Sequence, residues 1–256
     1  MIKLETDASG VATLTLARAE KHNALSAQMM NELENAARGL ATDSNVRVVV
    51  LAAEGASFCA GGDLAWMREQ FDMDPDTRRT ESRRIATMLG ALYDLPQPLI
   101  GRIQGNAFGG GVGLISVCDV AIGVQTAKLG LTETRLGLLP ANIGPYVLAR
   151  MGATRASEVF MSARVFDADE AVRLNLLSRT IAAGELDTAI DAEVAPYLSC
   201  APGAVAEAKA LMRDLTGRVT GAQIDTAIDA LAQRWKSDEA REGVGAFFEK
   251  RKPNWQ

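Results

Sequence analysis

Three largely apolar, strand-like runs most constrain what this chain can fold into: the β-branched Val46 to Ala52, then Leu99 to Gln104 and Val120 to Val124. The first has no polar alternation, the pattern of a strand buried on both faces, which places it centrally in a sheet. Helical spacing separates the runs. Ser26 is a good N-cap for a helix in which Met29/Met30, Leu33, Ala36/Ala37 and Leu40 recur on one face. A short helix is expected from Leu64, another over Thr77 to Tyr93, and a third from the Gly105 to Gly113 turn to about Cys118. A hairpin of Ile2 to Thr6 and Val11 to Ala17, joined through Ser9-Gly10, opens the chain. The acidic stretch Asp72 to Asp76 reads as a solvated loop or lid. From about Ala141 the pattern is helical, with candidates over residues 142–151, 154–162, 168–174, 184–198, 202–215, 221–235 and 237–249, and only Leu177 to Ile181 reads as a strand. The fold class is therefore α/β, with a core over residues 1–195 and a helical C-terminal region over residues 196–256 suited to self-association. Ile224, Ile228, Leu231, Trp235 and Phe247/Phe248 are the apolar residues that such association would bury.

Composition removes several classes of function. The 256 residues carry a net charge of −5, with 48% hydrophobic and 23% charged residues, which fits a chain with a large core and gives no support to nucleic-acid binding. Three cysteines without Cys-x-x-Cys spacing indicate neither a disulfide framework nor a zinc ribbon, and Cys59 and Cys118 are expected as small buried residues. The N-terminal residues lack an apolar signal segment, and the uncharged stretch Ile103 to Cys118 is too short and polar for a bilayer, so a cytoplasmic protein with no membrane partner is expected. With one histidine, His22, metal hydrolysis and histidine triads are disfavoured.

Two segments place glycine where a strand runs into a helix: Phe58-Cys59-Ala60-Gly61-Gly62-Asp63-Leu64 and Gly105-Asn106-Ala107-Phe108-Gly109-Gly110-Gly111-Val112-Gly113. Unpaired N–H groups at helix starts can hold a developing oxyanion without a charged side chain, and glycine lets a ligand approach closely. The same glycines would also serve tight helix–sheet packing. Neither segment matches a phosphate-binding Gly-x-x-x-x-Gly-Lys-Ser/Thr loop.

Together these segments resemble the crotonase superfamily, the enoyl-CoA hydratase/isomerase family. Glu20 to Leu25 is similar to the family's N-terminal CoA-contacting loop, Leu129 to Pro140 to its catalytic-glutamate segment, and Phe247 to Pro253 to its C-terminal signature. The resemblance implies a spiral of ββα units with a helical trimerisation region, assembled as a homotrimer or dimer of trimers (a hexamer). It also implies an acyl-CoA substrate whose thioester oxygen sits between the N–H groups of Gly62 and Gly110, with Glu133 as the proton-transfer group. No cofactor is implied beyond the coenzyme A of the substrate. Lys21, Ala24, Ala60, Gly61, Asp63, Leu64, Gly109, Gly113, Phe248 and Lys250 are implied as substrate- or CoA-binding positions, and Lys250-Arg251-Lys252 as candidates for CoA phosphates.

One departure bears on the chemistry. Hydratases of the main branch use two glutamates, and here the first position is Gly113. The segments from Gly110 to Ile115 and from Thr132 to Val147 resemble the bacterial methylglutaconyl-CoA hydratase branch, which tends to lack that glutamate. The resemblance then implies a hydro-lyase acting on a branched, carboxylated enoyl-CoA in branched-chain acyl or fatty acid catabolism, with Arg68 or Arg135 meeting the second carboxylate. An isomerase using one glutamate, or a CoA-thioester-binding subunit without activity, are the alternatives. Asp63 also reads as the N-cap of the helix from Leu64.

Overall fold

A computed structural model describes residues 1–255. The strands are β1 (Ile2–Thr6), β2 (Val11–Leu16), β3 (Val48–Ala53), β4 (Ser57–Cys59), β5 (Leu99–Ile103), β6 (Asn106–Phe108), β7 (Val120–Val124), β8 (Lys128–Gly130), β9 (Val165–Asp167) and β10 (Arg179–Ile181). The helices are α1 (Ala27–Thr42), α2 (Leu64–Asp72), α3 (Pro75–Tyr93), α4 (Gly110–Ser116), α5 (Gly144–Met151), α6 (Ala153–Phe160), α7 (Ala168–Arg173), α8 (Leu186–Leu198), α9 (Pro202–Thr216), α10 (Gly221–Arg234) and α11 (Asp238–Phe248).

The three apolar runs become β3, β5 and β7, parallel neighbours inside a six-stranded sheet ordered β1-β2-β3-β5-β7-β10. All six residues of β3 are buried, and its place inside the sheet follows from having apolar side chains on both faces. The β1–β2 hairpin is antiparallel, and β2 runs parallel to β3. Each of β3, β5 and β7 is followed by a three-residue strand, β4, β6 or β8, which leaves the large sheet and joins a second sheet ordered β4-β6-β8-β9. The result is three successive strand–strand–helix units, the spiral that the resemblance implies. These short strands were not visible in the sequence. Three residues carry no periodicity, and β4 and β6 overlap the two glycine turns while β8 runs into the segment singled out for its glutamate.

Helix starts follow their caps. Ser26 accepts from the Met29 N–H at 3.3 Å, and Asp63 accepts from Ala65 and Trp66 at 2.8 and 3.3 Å. Asp72 to Asp76 is not an open loop or lid: α2 runs through Asp72, Asp74 caps α3, and Pro75 occupies its first turn, where no N–H is needed.

The C-terminal helices pack on the rest of the chain in two ways. Helix α9 is clamped by charge. The Asp119 carboxylate, at the start of β7, accepts from Lys209 Nζ at 2.6 Å, Arg213 Nη2 at 3.2 Å and the Leu99 N–H at 2.8 Å, and Lys209 also donates to the Gln97 carbonyl. Both cationic side chains are more than nine-tenths buried. Helices α10 and α11 instead share a small apolar core, with Leu231, Trp235, Ala240 and Val244 against Leu138 and Ala141, bordered by Met67 and Phe71 of α2. Ile228, Leu231 and Trp235 are therefore buried within the chain and do not supply the interface expected of them. The exposed apolar residues nearby are Leu211, Met212 and Leu215 on α9, and Phe247. Among the described residues no helix is long and apolar enough to cross a membrane.

Removing Asp119 would leave two buried cations without a counter-charge, which typically costs about 3–5 kcal/mol. Denaturant unfolding of Asp119→Ala is expected to show a loss of that size with an unchanged m-value, and Asp119→Asn a smaller one.

Candidate active site

The small sheet positions the site. Strands β4, β6 and β8 are parallel neighbours, so their C-terminal ends lie side by side, and from them emerge the turns carrying Gly62, Gly110 and Glu133. The first two turns are pressed together. A Cβ built on Gly61 would stand 3.0 Å from the Phe108 carbonyl oxygen, and one on Gly111 would overlap the Cys59 carbonyl oxygen at 2.4 Å. Gly61 also has φ +96°, a left-handed conformation that favours glycine.

Neither the Gly62 nor the Gly110 N–H donates a backbone hydrogen bond among the described residues. Gly110 is the first residue of α4, so it has no acceptor within the helix. The N-terminal loop braces the Gly62 turn from behind. The Leu25 N–H donates to Gly61 O at 2.7 Å, and the Asp63 N–H donates to Leu25 O at 3.0 Å. Buried Asn23, at φ +53°, donates to Glu54 O and Ser57 O and accepts from the Arg18 N–H. Arg18 in turn donates to Asp63 Oδ2 at 2.6 Å.

Glu133 starts the 3-10 turn Glu133–Leu136, two residues after β8 and its neighbour Leu131. Its Oε2 is buried and has no hydrogen-bond partner among the described residues. Burial, with no cation to offset it, pushes this carboxyl up from its ordinary 4.5 to about 7. Its Oε1 lies where it would stand 3.1 Å from a Cβ on Gly109, whose φ is +48°. Helix α11 backs the turn with bare backbone, since a Cβ on Gly243 would overlap the Leu136 carbonyl at 2.5 Å. Asn142, another residue of the site, has a buried Oδ1 that is also without a donor.

These groups open into a pocket of about 590 Å³. Ala60, Gly61, Gly62, Leu64, Gly109, Gly110 and Glu133 line it, as does Arg135. Other anticipated residues lie elsewhere. Gly113 is walled off: a side chain there would meet Ile143 Cγ2 at 2.6 Å and Leu89 Cδ1 at 3.0 Å, so it neither touches a ligand in this pocket nor leaves room for a second glutamate. Asp63 does not line the pocket, because its carboxylate is taken up by the α2 cap and Arg18. Phe248 packs on the α10–α11 core with the Arg68 guanidinium 4.6 Å over its ring, and Phe247, one step round the helix, is the residue that reaches the pocket. Lys21 and Lys250 are exposed and, like Ala24, are not pocket residues, while Arg251 is paired with Glu242 and Glu249. Cys59 and Cys118 are buried, and burial pushes each thiol up to about 12, leaving neither as a nucleophile. No three His, Cys, Asp or Glu side chains come together to hold a metal among the described residues.

Sequence reading missed the pocket's roof: Trp66, Met67 and Gln70 from α2, Ser82 and Ile85 from α3, Leu231 from α10 and Trp235 just past its end. Only the helical periodicity of those segments was legible, and it does not show which buried face meets a cavity.

The chain matches the model of the enoyl-CoA hydratase/isomerase family over residues 6–256. It is 32% identical to mouse mitochondrial methylglutaconyl-CoA hydratase, an alignment spanning 99% of this chain and 82% of that protein. Among solved structures it superposes on an enoyl-CoA hydratase from Mycobacterium avium with a TM-score of 0.87 and 33% identity, covering 100% of this chain and 98% of the other. Pseudomonas aeruginosa AtuE gives a TM-score of 0.81 with 37% identity, covering 99% and 98%. Paired glycine turns with free amides, a desolvated glutamate beside them and these full-length matches converge: the chain belongs to the enoyl-CoA hydratase/isomerase family.

Proposed function

We propose that this enzyme adds water across the double bond of a 2-enoyl-CoA, with Glu133 as its single acid–base group and no cofactor beyond the substrate's coenzyme A. The observation that carries this reading is the Glu133 carboxyl, pushed up to about 7 by desolvation and with its Oε2 buried without a partner among the described residues, in one pocket with the free Gly62 and Gly110 amides. The thioester oxygen accepts from both amides. Ionised Glu133 removes a proton from a water held with the help of Asn142 Oδ1, the water oxygen bonds to the β-carbon, and the π electrons move onto the thioester oxygen as an enolate. Glu133 then returns that proton to the α-carbon and the enolate collapses. One H and one OH are added, and the carboxylate is regenerated, so one glutamate suffices without a group at Gly113.

The 1,3 proton shift of an isomerase would use the same carboxyl, but the unpartnered Asn142 acceptor favours a bound water. Likeness to the methylglutaconyl-CoA hydratase supports a branched substrate of catabolism, and Arg135 is the cation in the pocket that would meet a second carboxylate. Arg68, stacked on Phe248, is not placed for this. Coenzyme A would leave the pocket past Ala60 and Leu64, both exposed. The homotrimer or dimer of trimers is part of the same proposal, with the exposed α9 face of Leu211, Met212 and Leu215 as its apolar surface. Sedimentation at micromolar concentration is expected to give a multiple of three chains, and Leu215→Glu to lower it; a monomer for the unaltered protein contradicts the assembly.

Two experiments test the chemistry. A Cβ on Gly62 would meet Met67 at an ordinary 3.5 Å, so Gly62→Ala keeps both the room and the N–H, whereas Gly62→Pro deletes the N–H. The proline variant is expected to lose about 10²–10³ in kcat for crotonyl-CoA hydration relative to the alanine variant, the usual worth of one oxyanion donor. Since the ionised carboxylate is the active form, kcat/KM is expected to rise with pH and level off above about 7, and Glu133→Gln to lower it at least about a hundredfold. Stability should move the other way. The unfolded chain releases this proton near 4.5 and the folded one near 7, so folding loses stability as pH rises through that window. Glu133→Gln should therefore have the higher Tm at pH 8, and the difference should shrink towards pH 4.5.

A further inference from the structure

The pocket's roof holds polar groups that the hydration chemistry does not use. Gln70 and Ser82 are 3% and 2% exposed, and both line a cavity otherwise walled there by Trp66, Met67, Ile85 and Trp235. Their contact with each other is long: Ser82 Oγ lies 3.4 Å from Gln70 Oε1, well beyond an ordinary O–H···O bond. It is the only hydrogen bond of the Gln70 side chain among the described residues, so the amide NH2 has no acceptor in the protein. Close by, the Trp235 Nε1–H is buried without a partner among the described residues.

The backbone around these residues is held firmly. Arg78 donates to the carbonyls of Gln70 at 2.6 Å, Phe71 at 3.0 Å and Met73 at 2.8 Å, while its guanidinium lies 5.5 Å from the Trp235 ring centroid. This ties the end of α2 to α3 and α10 without any help from the Gln70 side chain. A polar tie between helices would be expected to satisfy its own donors, since a buried polar group left unpaired is costly. Here the Gln70 amide donors are left over, on a side chain that lines the cavity. Gln70 lies six residues along α2 from Leu64, about 9 Å of helix axis, so whatever answers them is several bonds from the thioester held at Gly62.

We infer that Gln70 and Ser82 read a hydrogen-bond-accepting oxygen on the acyl chain, remote from the reacting double bond, and so select oxygen-bearing acyl-CoAs over plain hydrocarbon ones. This rests on the reading of the pocket as the acyl site. The chemistry is shared by a hydroxyl and by a terminal carboxylate. A carboxylate would in addition draw on Arg135, the cation lining the pocket.

The test separates binding from turnover. Dissociation constants are measured calorimetrically for three saturated acyl-CoAs of matched length, hexanoyl-, 5-hydroxyhexanoyl- and adipoyl-CoA, against the unaltered protein, Ser82→Ala and Gln70→Leu/Ser82→Ala. The inference expects the hydroxyl or carboxylate ligand to bind about tenfold or more tighter than hexanoyl-CoA, and that preference to fall to within about twofold in the double variant. Gain from the hydroxyl identifies a neutral oxygen as the feature read, and gain from the carboxylate alone an acidic chain. Hexanoyl-CoA binding as tightly as both oxygenated ligands overturns the inference, as does a preference that persists in the double variant. Hydration of the matching 2-enoyl-CoAs is followed in parallel. Selective binding without hydration would contradict the proposed reaction and leave the selectivity standing, and hydration without selectivity the reverse.

Discussion

Everything at this site depends on one contact, the close approach of the backbone at residues 59–62 to the backbone at 108–111. Strands β4 and β6 are parallel neighbours, and their turns meet with no room for a side chain at Gly61 or Gly111. That proximity aims two free amides into one cavity. It also explains the polar scaffolding behind the first turn, where Asn23, Arg18 and Asp63 spend their hydrogen bonds on the backbone and on each other. A turn that must hold an N–H unpaired cannot be anchored through that N–H, so it is anchored through its neighbours.

The same geometry sets the character of Glu133. Strand β8 continues the small sheet, and the turn after it is backed by α11, where Gly243 packs directly on Leu136. The carboxyl is thus carried into a largely apolar pocket, where no cation offsets its desolvation. An ordinary carboxylate becomes a group poised near neutrality by desolvation. The C-terminal helices therefore have two roles within one chain: α9 is held by the buried charges of Asp119, Lys209 and Arg213, and α10 and α11 help close the pocket.

Much of this was legible in the sequence because it rests on strong local signals. The strand-like runs gave β3, β5 and β7, caps such as Ser26 and Asp63 gave helix starts, and the two glycine turns and Glu133, singled out through a family resemblance, line one pocket. The second sheet was not legible, since strands of three residues leave no pattern. Neither was the acidic segment around Asp74, where charge suggested a solvated loop but an Asp N-cap followed by Pro75 starts a helix. Apolar residues on α10 were read as an interface because periodicity reports burial without naming the partner, which here is the chain's own α2 and the turn after Glu133. Phe248 was displaced from the pocket by its neighbour Phe247 for a related reason: one residue along a helix is 100° around it, below the precision of a motif match.

The central claim is that burial alone holds Glu133 as a proton-transfer group at neutral pH, and it can be measured without turnover. Infrared difference spectra between the unaltered protein and Glu133→Gln, recorded from pH 4 to 9, isolate the carboxyl stretch of this one residue. The account predicts a protonated carboxyl band that persists well above pH 5 and disappears with a midpoint near 7. A carboxylate already ionised at pH 5 to 6 would contradict it.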